Sequence, residues 1–385
     1  MLLWFIIIVA FLLIIWPYAV YPLVLLVVSR RRPIGTSTEP VKSVSLLIAA
    51  YNEEEVIKEK LENSLALERG NFEFEIVVAS DGSTDCTAEL VRTYTKEYSF
   101  IRLLDFSERA GKVNVLNKAV PQCKGDIVLL SDANAMYNPE CLKYILPHFE
   151  DDLVGCVSGE KKILATDGAI AKNEGLYWRL ESVIKRLESK TTSLIGADGA
   201  CYAVRKSLFQ SLPSETSVDD FLLTMRILES GHTVVYEPRA WSAEDPGQTA
   251  YDEFRRKRRI AAGNFYNLRF LHSFMRSDFL SFMFISHKLL RWISPLIFAV
   301  LTAALFFKAF SSETAWYAFL ILLFSYTLPL LKYANVGVAL TDKGPGRIIT
   351  YFYLTVWAQY AGWKQYMAGT AKEIEFTVKR SIYGQ

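Results

Sequence analysis

The sequence predicts an α/β domain with a mostly parallel sheet, placed between apolar helices that cross a membrane. Two observations predict this arrangement. Between residues 40 and 270, short apolar runs alternate with segments of helical spacing, which is the pattern of βαβ units. Apolar segments long enough to cross a bilayer lie on either side, at residues 1–28 and beyond residue 277.

The N-terminal segment, residues 1–28, contains no charged side chain and is expected to form a transmembrane helix. Pro17 and Pro22 are expected to kink this helix or to end it early. Three arginines follow at residues 30–32. The positive-inside rule then places the next domain in the cytoplasm, as part of an integral protein of the inner or plasma membrane. The alternative, a cleaved signal peptide, lacks a basic n-region and a small-residue cleavage site here.

The C-terminal part of the chain is expected to return to the membrane. Residues 277–292 mix basic and apolar side chains, which is typical of an amphipathic helix at the membrane surface. Residues 293–368 are expected to contain transmembrane helices, with spans at 293–307 and 316–331. A third segment, 348–367, has basic residues on both sides, so it either crosses the membrane or lies along its surface.

The region between the membrane segments, residues 40–270, is expected to form one cytoplasmic domain, and residues 369–385 a polar tail. A formal net charge of +2 gives no reason to expect nucleic acid as a partner. Five cysteines without CxxC spacing fit free thiols in a reducing compartment. They are Cys86, Cys123, Cys141, Cys156 and Cys201.

Three polar motifs directly follow predicted strands. The strands are predicted at residues 44–50, 75–79, 101–104 and 127–130, with helices at 53–66, 87–95 and 112–119. The motifs occupy residues 51–53, 81–83 and 132–134. Ligands of parallel α/β sheets bind beyond the carboxyl ends of the strands. The three motifs are therefore expected to converge on one site.

The residue types at this edge of the sheet suit a nucleotide diphosphate and a hard cation. The Asp81 carboxylate, in a turn made tight by Gly82, can accept hydrogen bonds from a base or ribose, and Lys112 can reach a phosphate. Asp132 and Asn134 offer two oxygen ligands for Mg²⁺ or Mn²⁺. Each motif alone is also compatible with an ordinary turn, a helix N-cap or a solvated lysine.

Four motifs carry a resemblance to a known family. They are Ala-Ala-Tyr-Asn-Glu at residues 49–53, Asp-Gly-Ser-Thr-Asp at 81–85, Gly-Lys-x-x-x-Leu-Asn-x-Ala at 111–119 and Asp-Ala-Asn at 132–134. Their order resembles the family 2 glycosyltransferases of the GT-A fold, which transfer a sugar from a nucleotide sugar with inversion. The resemblance covers nearly the whole chain, including the flanking membrane helices.

The resemblance implies a role for each motif. Contacts to the nucleotide would come from Ala50, Tyr51, Glu53, Asp81 and Lys112. The cation, Mg²⁺ or Mn²⁺, would be held by Asp132 and Asn134. The family's metal motif is more often Asp-x-Asp, so Asn134 brings one charge fewer to the site. A UDP-linked donor is expected from the resemblance alone.

The second half of the central region is expected to bind the acceptor. Residues 173–189 predict an amphipathic packing helix. Residues 195–205 are rich in small residues, which let a sugar approach the backbone closely, although a turn into a strand is the alternative. By its resemblance to the family, this run is an acceptor-side segment, with Gly196, Asp198 and Gly199 as acceptor-binding residues.

Two neighbouring carboxylates, Asp219 and Asp220, precede a run of helical spacing at residues 222–228. A helix dipole stabilises carboxylates at a helix start. Their mutual repulsion in a dry site raises the pKa of one of them toward that of a useful base, although simple N-terminal capping is the alternative. By position the pair resembles the family's Thr-Glu-Asp motif. That implies Asp220 as the base that deprotonates the acceptor hydroxyl, supported by Asp219.

The densest charge in the chain is the basic run at residues 255–259. Nucleic-acid binding, an anionic lipid contact or a solvated face would each explain it. The resemblance implies another role, because Arg256 and Arg259 register with the Gln and Arg of a Gln-x-x-Arg-Trp motif, where cations stabilise the departing diphosphate. Ile260 replaces the Trp that processive members place against the acceptor sugar, which argues against a long-chain polymer synthase.

These observations predict a membrane-anchored inverting glycosyltransferase. Its partners would be a nucleotide-sugar donor, a lipid-linked or envelope glycan acceptor, membrane lipids and other glycan-assembly or export proteins, without nucleic acid. The alternative is a processive polysaccharide synthase, but a translocation channel needs more than about three or four helices. A non-catalytic scaffold is disfavoured by the joint presence of Asp81, Asp132, Asp220 and Arg259. A transporter is disfavoured by the low number of spanning helices.

Overall fold

The structure is a computed structural model that describes residues 1–28, 41–163, 169–244, 250–275, 278–334, 336–337, 341 and 344–369. The arginines at residues 30–32 and nearly all of the predicted polar tail lie outside these residues. Helices of the described residues, in chain order, are α1 Leu2–Ile15, α2 Tyr21–Val28, α3 Ile57–Leu65, α4 Thr87–Glu97, α5 Lys112–Ala119, α6 Cys141–Ile145, α7 Ala169–Thr191, α8 Asp219–Glu229, α9 Ala250–Asn267, α10 Phe279–Phe284, α11 Leu290–Trp292, α12 Ser294–Ala309, α13 Glu313–Tyr333 and α14 Gly344–Met367.

A mixed sheet of eight strands forms the centre of the described structure. Strands β1 to β8 are Ser43–Ala50, Glu73–Asp81, Ile101–Phe106, Ile127–Asp132, Met136–Tyr137, Val154–Ile163, Tyr202–Arg205 and Thr233–Glu244. Their order across the sheet is β3-β2-β1-β4-β7-β6-β8-β5. The pairs among β1 to β4 are parallel, as is β6 with β8, whereas β7 and β5 run antiparallel to their neighbours. The α/β fold class with a mostly parallel sheet is therefore confirmed.

The central strands read as continuous apolar runs because helices cover both faces of the sheet. Alternate residues of a strand point to opposite faces. In β1, Leu46 and Ile48 pack in one core with residues of α3 and α4, including Leu61. Leu47 belongs to the other core, with Leu116 of α5. This two-sided packing leaves the carboxyl ends of β1, β2 and β4 along one edge, where their polar motifs begin.

Among the described residues, two helical segments are long and apolar enough to cross a membrane: Leu2–Val28 and α13. A third crossing results if Phe279–Trp292 and α12, which meet at 65°, count as one bent span. The predicted span at 293–307 is not long enough by itself, because α12 has only 16 residues. Among the described helices, α14 is not a candidate span.

The N-terminal helix continues through both of its prolines. A π-helical turn, Trp16–Val20, joins α1 to α2 and has Pro17 at its start. The ring of a proline removes a backbone donor and crowds the preceding turn, and a wider π turn accommodates both effects. The helix therefore does not end early at Pro17 or Pro22 but continues to Val28.

Candidate active site

Hydrogen bonds join the motif after β1 to the motif after β2. The Asn52 backbone N–H donates to Ser83 Oγ at 3.2 Å, and the Thr84 N–H donates to Asn52 Oδ1 at 2.8 Å. The Glu53 N–H donates to Thr87 Oγ1 at 2.8 Å. Asn52 has a φ of 52°, a left-handed conformation that asparagine tolerates better than most residues. The two motifs thus form one connected rim at the edge of the sheet.

The Asp81 carboxylate is bound to the loop that leads into α5. Its Oδ1 accepts the Ala110 N–H at 2.7 Å, and its Oδ2 accepts the Gly111 N–H at 2.8 Å. The residue is only 5% exposed. A side chain at Gly82 would place its Cβ 2.6 Å from the backbone nitrogen of Arg109, so the loop approaches this turn as closely as glycine permits. Asp81 therefore positions the loop, and its contact with a nucleotide stays a prediction.

The predicted nucleotide residues next to this loop include Ala50 and Tyr51. Ala50 ends β1 and is buried, whereas Tyr51 is partly exposed at the rim. The Arg109 guanidinium lies 3.9 Å from the centre of the Tyr51 ring, within the range of a cation–π contact. Arg109 is not among the site residues predicted from the sequence. Its position just before Gly111 and Lys112 was the available signal.

Lys112, the first residue of α5, lies between the two acidic parts of the site. Its Nζ is 2.7 Å from Asp132 Oδ1 and 3.7 Å from Asp219 Oδ2. The side chains of Lys112 and Asp132 are 39% and 37% exposed, so a ligand can reach the pair. Desolvation lowers the pKa of Lys112, but the charges of Asp132, Asp219 and then Asp220 outweigh it and hold that pKa above its usual range.

Asp132 and Asn134 lie at the end of β4, as predicted for the cation ligands. Desolvation raises the pKa of Asp132, but Lys112 more than offsets this, with help from Lys161 and Arg259, and the pKa lies below its usual range. Within the described ranges, no group of three or more His, Cys, Asp or Glu side chains could hold a metal. Mg²⁺ commonly uses one or two carboxylates together with substrate phosphates. One carboxylate and one amide oxygen fit such a site.

The acidic pair begins helix α8, as the sequence predicts. Asp219 is buried, and its Oδ2 has no hydrogen-bond partner among the described residues. Burial raises the pKa of Asp220, and the Asp219 carboxylate raises it further. Lys112 opposes both effects, and the pKa of Asp220 is raised to about 7. A carboxyl group in this state can accept a proton near neutral pH.

The small residues at 195–199 pack against the start of α8. A Cβ added at Gly199 would lie 2.7 Å from Asp220 Oδ2. Gly196 has a φ of 86°, and a Cβ there would lie 2.7 Å from the Phe221 ring. Asp198 instead pairs with Lys185, whose Nζ is 2.9 Å from Asp198 Oδ2. Close approach to Asp220 therefore explains Gly199, whereas a positive φ and the Phe221 ring explain Gly196. The contact of both glycines with an acceptor stays a prediction.

Of the two predicted phosphate-binding arginines, Arg259 contacts the segment before the acidic pair. Arg259 Nη1 donates to the Ser217 carbonyl at 3.4 Å. One and two turns further along α9, a Cβ added at Gly263 would clash with Ser217 Oγ, and Asn267 Nδ2 donates to the Val218 carbonyl at 3.0 Å. This face of α9 therefore packs against residues 217–218, which lead into α8. The charge of Arg259 also lowers the pKa of Asp132.

Arg256 is bound within its own helix. Its Nε and Nη2 donate to the two carboxylate oxygens of Glu253, at 2.9 and 3.1 Å. The Tyr351 hydroxyl of α14 donates to the same carboxylate at 3.4 Å. The two arginines, for which the same role was predicted, therefore have different partners among the described residues.

Comparisons with known proteins identify the domain. Residues 45–212 match the family model described as Glycosyl transferase family 2. A poly-beta-1,6-N-acetyl-D-glucosamine synthase of Staphylococcus aureus (strain COL) is 28% identical over 209 residues, covering 53% of this chain and 50% of the relative. The corresponding protein of Staphylococcus epidermidis (strain ATCC 35984) is 26% identical over 217 residues, covering 55% and 52%. The chain thus spans about half the length of these curated relatives.

A solved structure shares the fold over nearly the whole chain. It is a mannosyltransferase from Pyrobaculum calidifontis in complex with GDP-Man and Mn²⁺, with a TM-score of 0.71 and 21% identity, covering 95% of this chain and 99% of that chain. The acidic pair of α8 and the basic run of α9 lie beyond the residues that match the family model. The chain therefore has the GT-A fold, and its residues 45–212 match the model of glycosyltransferase family 2.

Proposed function

We propose that this chain is a membrane-anchored inverting glycosyltransferase with a cytoplasmic catalytic domain. It transfers a sugar from a nucleotide sugar to a lipid-linked or envelope glycan acceptor. The observation that carries this proposal is the position of Lys112 Nζ, 2.7 Å from Asp132 Oδ1 and 3.7 Å from Asp219 Oδ2. One amine thus connects the edge expected to bind the diphosphate with the carboxylates expected to act on the acceptor.

On the donor side, Asp132 and Asn134 would hold Mg²⁺ or Mn²⁺. When bound, the cation supplies positive charge to the diphosphate. Lys112 and Arg259 add fixed positive charge, which stabilises the leaving group as its negative charge develops. Divalent metal use is supported by the solved mannosyltransferase, which holds GDP-Man and Mn²⁺. The curated relatives, synthases of poly-beta-1,6-N-acetyl-D-glucosamine, make N-acetylglucosamine a second candidate sugar.

On the acceptor side, Asp220 is the proposed base. Its carboxylate takes the proton of the acceptor hydroxyl while the acceptor oxygen forms its bond to the anomeric carbon. The bond from that carbon to the diphosphate oxygen breaks in the same step, so the configuration inverts. Because burial and Asp219 raise the pKa of Asp220 to about 7, its basicity matches neutral pH.

The acceptor is proposed to come from the membrane because Asp220 lies next to the membrane segments. Phe221, the next residue, has its ring centre 5.4 Å from that of Trp292 and 6.4 Å from that of Phe284. Both partners belong to Phe279–Trp292, the first half of the bent helix pair. A lipid-linked sugar held at the membrane surface would thus need to travel only a short distance to reach the base.

A processive polysaccharide synthase is the second candidate, favoured by the curated relatives. Ile260 stands against it, because an aliphatic side chain lacks the aromatic face that would hold a growing sugar chain. The two or three candidate spans of the described residues also provide few helices for a translocation channel. The length of the product distinguishes the two candidates: one or a few added sugars for the first, and a polymer for the second.

The proposal is tested by nucleoside diphosphate release from the full chain purified in detergent. The donor panel contains UDP-N-acetylglucosamine, GDP-mannose and a dTDP-sugar, each with Mn²⁺ or Mg²⁺ and with membrane lipid extract as the acceptor source. We expect turnover with one donor, lost on chelation and in Asp132→Ala. The matched control is Asp105→Ala, a partly exposed aspartate of β3 that pairs with Arg92 away from the acidic cluster.

If no donor of the panel gives turnover, a nucleotide-binding measurement distinguishes the possible reasons. Saturable, metal-dependent binding of UDP or GDP without turnover would mean that the acceptor is missing from the extract. If the wild-type chain bound none of these nucleotides in the presence of metal, the enzyme proposal would be overturned in favour of a scaffold.

A further inference from the structure

A buried carboxylate joins two membrane segments, the N-terminal helix and the bent helix pair, to the catalytic domain. Glu188, in α7, is 0% exposed. Its Oε1 accepts the Tyr21 hydroxyl of the N-terminal helix at 2.6 Å and lies 2.7 Å from Nδ1 of His287, in the bent helix pair. A carboxylate buried this deeply is stable only when its oxygens are paired. The two membrane segments supply partners for one oxygen.

The other oxygen of Glu188 faces the loop beneath the proposed base. Its Oε2 accepts the Ile195 backbone N–H at 3.2 Å. The next residues of this loop reach α8 directly: the Ala197 N–H donates to Thr224 Oγ1 at 3.3 Å, and Gly199 permits the close approach of Asp220. One side chain therefore connects the membrane helices to the loop on which Asp220 rests.

A second carboxylate reinforces the same junction. Glu181, two turns earlier on the same face of α7, is bound by Lys288 at 3.2 Å and by Arg291 at 2.7 Å. It also lies 3.0 Å from Nε2 of His287. The imidazole of His287 is thus held between two carboxylates, which fixes its position relative to Glu188.

We infer that Glu188 is a positioning residue, through which the membrane helices hold the 195–199 loop in the conformation that supports Asp220. The inference rests on the proposed function only for the role of Asp220. In the structure both carboxylate oxygens accept, one from the Tyr21 hydroxyl and the other from the Ile195 N–H. The amide of Glu188→Gln has one acceptor oxygen and one NH₂ group, so it can accept from only one of these two groups.

The first test is hydrogen–deuterium exchange of the full chain in detergent. We expect Glu188→Gln to speed exchange at residues 195–199 by about tenfold or more, because the Ile195 N–H loses its acceptor or the loop loses its anchor. Tyr21→Phe, which removes one donor only, should produce a smaller increase in the same segment. It serves as the second variant if Glu188→Gln does not fold.

The matched control is Ser286→Ala. Ser286 is buried beside His287 and accepts the Trp16 Nε1–H at 3.0 Å, so it joins the same two membrane segments without touching Glu188. We expect this variant to leave exchange at 195–199 unchanged. Equal exchange in the control and in both test variants, or no change in any variant, would show that Glu188 does not position the loop.

The second test measures nucleoside diphosphate release with the panel donor that the wild-type chain uses. We expect Glu188→Gln to lower kcat about tenfold and to change the donor KM less than twofold, since displacement of a catalytic group lowers turnover more than binding. A wild-type chain that neither turned over nor bound any of the donors would count against the proposed function alone, because the exchange result stands apart from it. An active wild type with kcat retained in Glu188→Gln would overturn the role at Asp220.

Discussion

The amine of Lys112 occupies the carboxylate that is expected to bind the cation, with 2.7 Å between its Nζ and Asp132 Oδ1. A lysine and a divalent cation compete for the same oxygen. Both side chains of the pair are more than one-third exposed, so a nucleotide-sugar donor can reach the place where the lysine and the cation compete. A bound diphosphate gives Lys112 a new partner and leaves Asp132 for the cation. Donor and cation are therefore expected to bind cooperatively.

Lys112→Met should separate the two roles of this lysine. Mn²⁺ binding without donor should tighten, by up to about fivefold for an exposed ion pair worth about 1 kcal/mol. Turnover should fall about 100-fold, because the diphosphate loses a fixed positive charge. Electron paramagnetic resonance of free Mn²⁺ measures the affinity. Lys118→Met, at an exposed position of the same helix, is the control. Unchanged Mn²⁺ affinity in Lys112→Met would refute the competition.

Asp220 should determine how transfer depends on pH. Its pKa of about 7 means that kcat rises with pH up to about 7 and then levels off, since only the carboxylate accepts a proton. Asp220→Asn should lower kcat by about 10²–10⁴-fold and remove this rise. Steady-state rates between pH 5.5 and about 8.5 would measure both effects. Near-normal turnover in Asp220→Asn would exclude Asp220 as the base.

The same raised pKa should lower stability as the pH rises. The pKa of an aspartate in an unfolded chain is about 3.9. Between that pH and about 7, the folded state therefore binds more protons than the unfolded state. The free energy of unfolding therefore falls across this window. Asp220→Asn should unfold at a higher temperature than the wild type at pH 8, and the difference should shrink toward pH 4. A thermal melt in detergent at both pH values measures it, and a constant difference would contradict the assignment.

Arg259 and Arg256 should differ although they are three residues apart. Arg259→Gln should lower kcat about 10–100-fold, since its charge faces the Asp132 side of the site. Arg256→Gln should change kcat less than threefold, because Glu253 already holds that guanidinium. Nucleoside diphosphate release compares the two variants directly, and each serves as the control for the other. Equal losses of kcat would favour the symmetric pair that the sequence analysis predicts.

Gly199→Ala should lower turnover by displacing the carboxylate of Asp220. The added methyl carbon would lie 2.7 Å from Asp220 Oδ2, so the carboxylate must move. We expect a loss of kcat of about tenfold or more, with the donor KM nearly unchanged. Gly231→Ala is the control, because its φ of 86° imposes backbone strain while nothing lies within 4 Å of the added carbon. That variant should lose stability but keep its kcat, and a kcat loss shared by both would point to general destabilisation.

Features that depend on local pattern could be predicted from the amino-acid sequence. Helix α5 has the predicted bounds, Lys112–Ala119, and four of the strands lie at the predicted runs. A buried parallel strand appears in the sequence as a short apolar run, and an amphipathic helix appears as a periodic pattern of apolar residues. Both signals come from the residues of the element itself. The positions of the motifs at the strand ends follow from the same signatures, because a strand end is a local event.

Contacts between side chains that are distant along the chain could not be predicted in the same way. The basic run predicts a helix but not which arginine faces the site. Packing of α14 against α9, where a Cβ at Gly362 would lie 2.5 Å from Ala261, helps to orient that helix. The partners of Asp81 and Glu188 lie in segments distant along the chain, so neither partnership leaves a periodic signal near the residue itself. Such contacts depend on how whole elements pack, and burial, rather than local propensity, selects them.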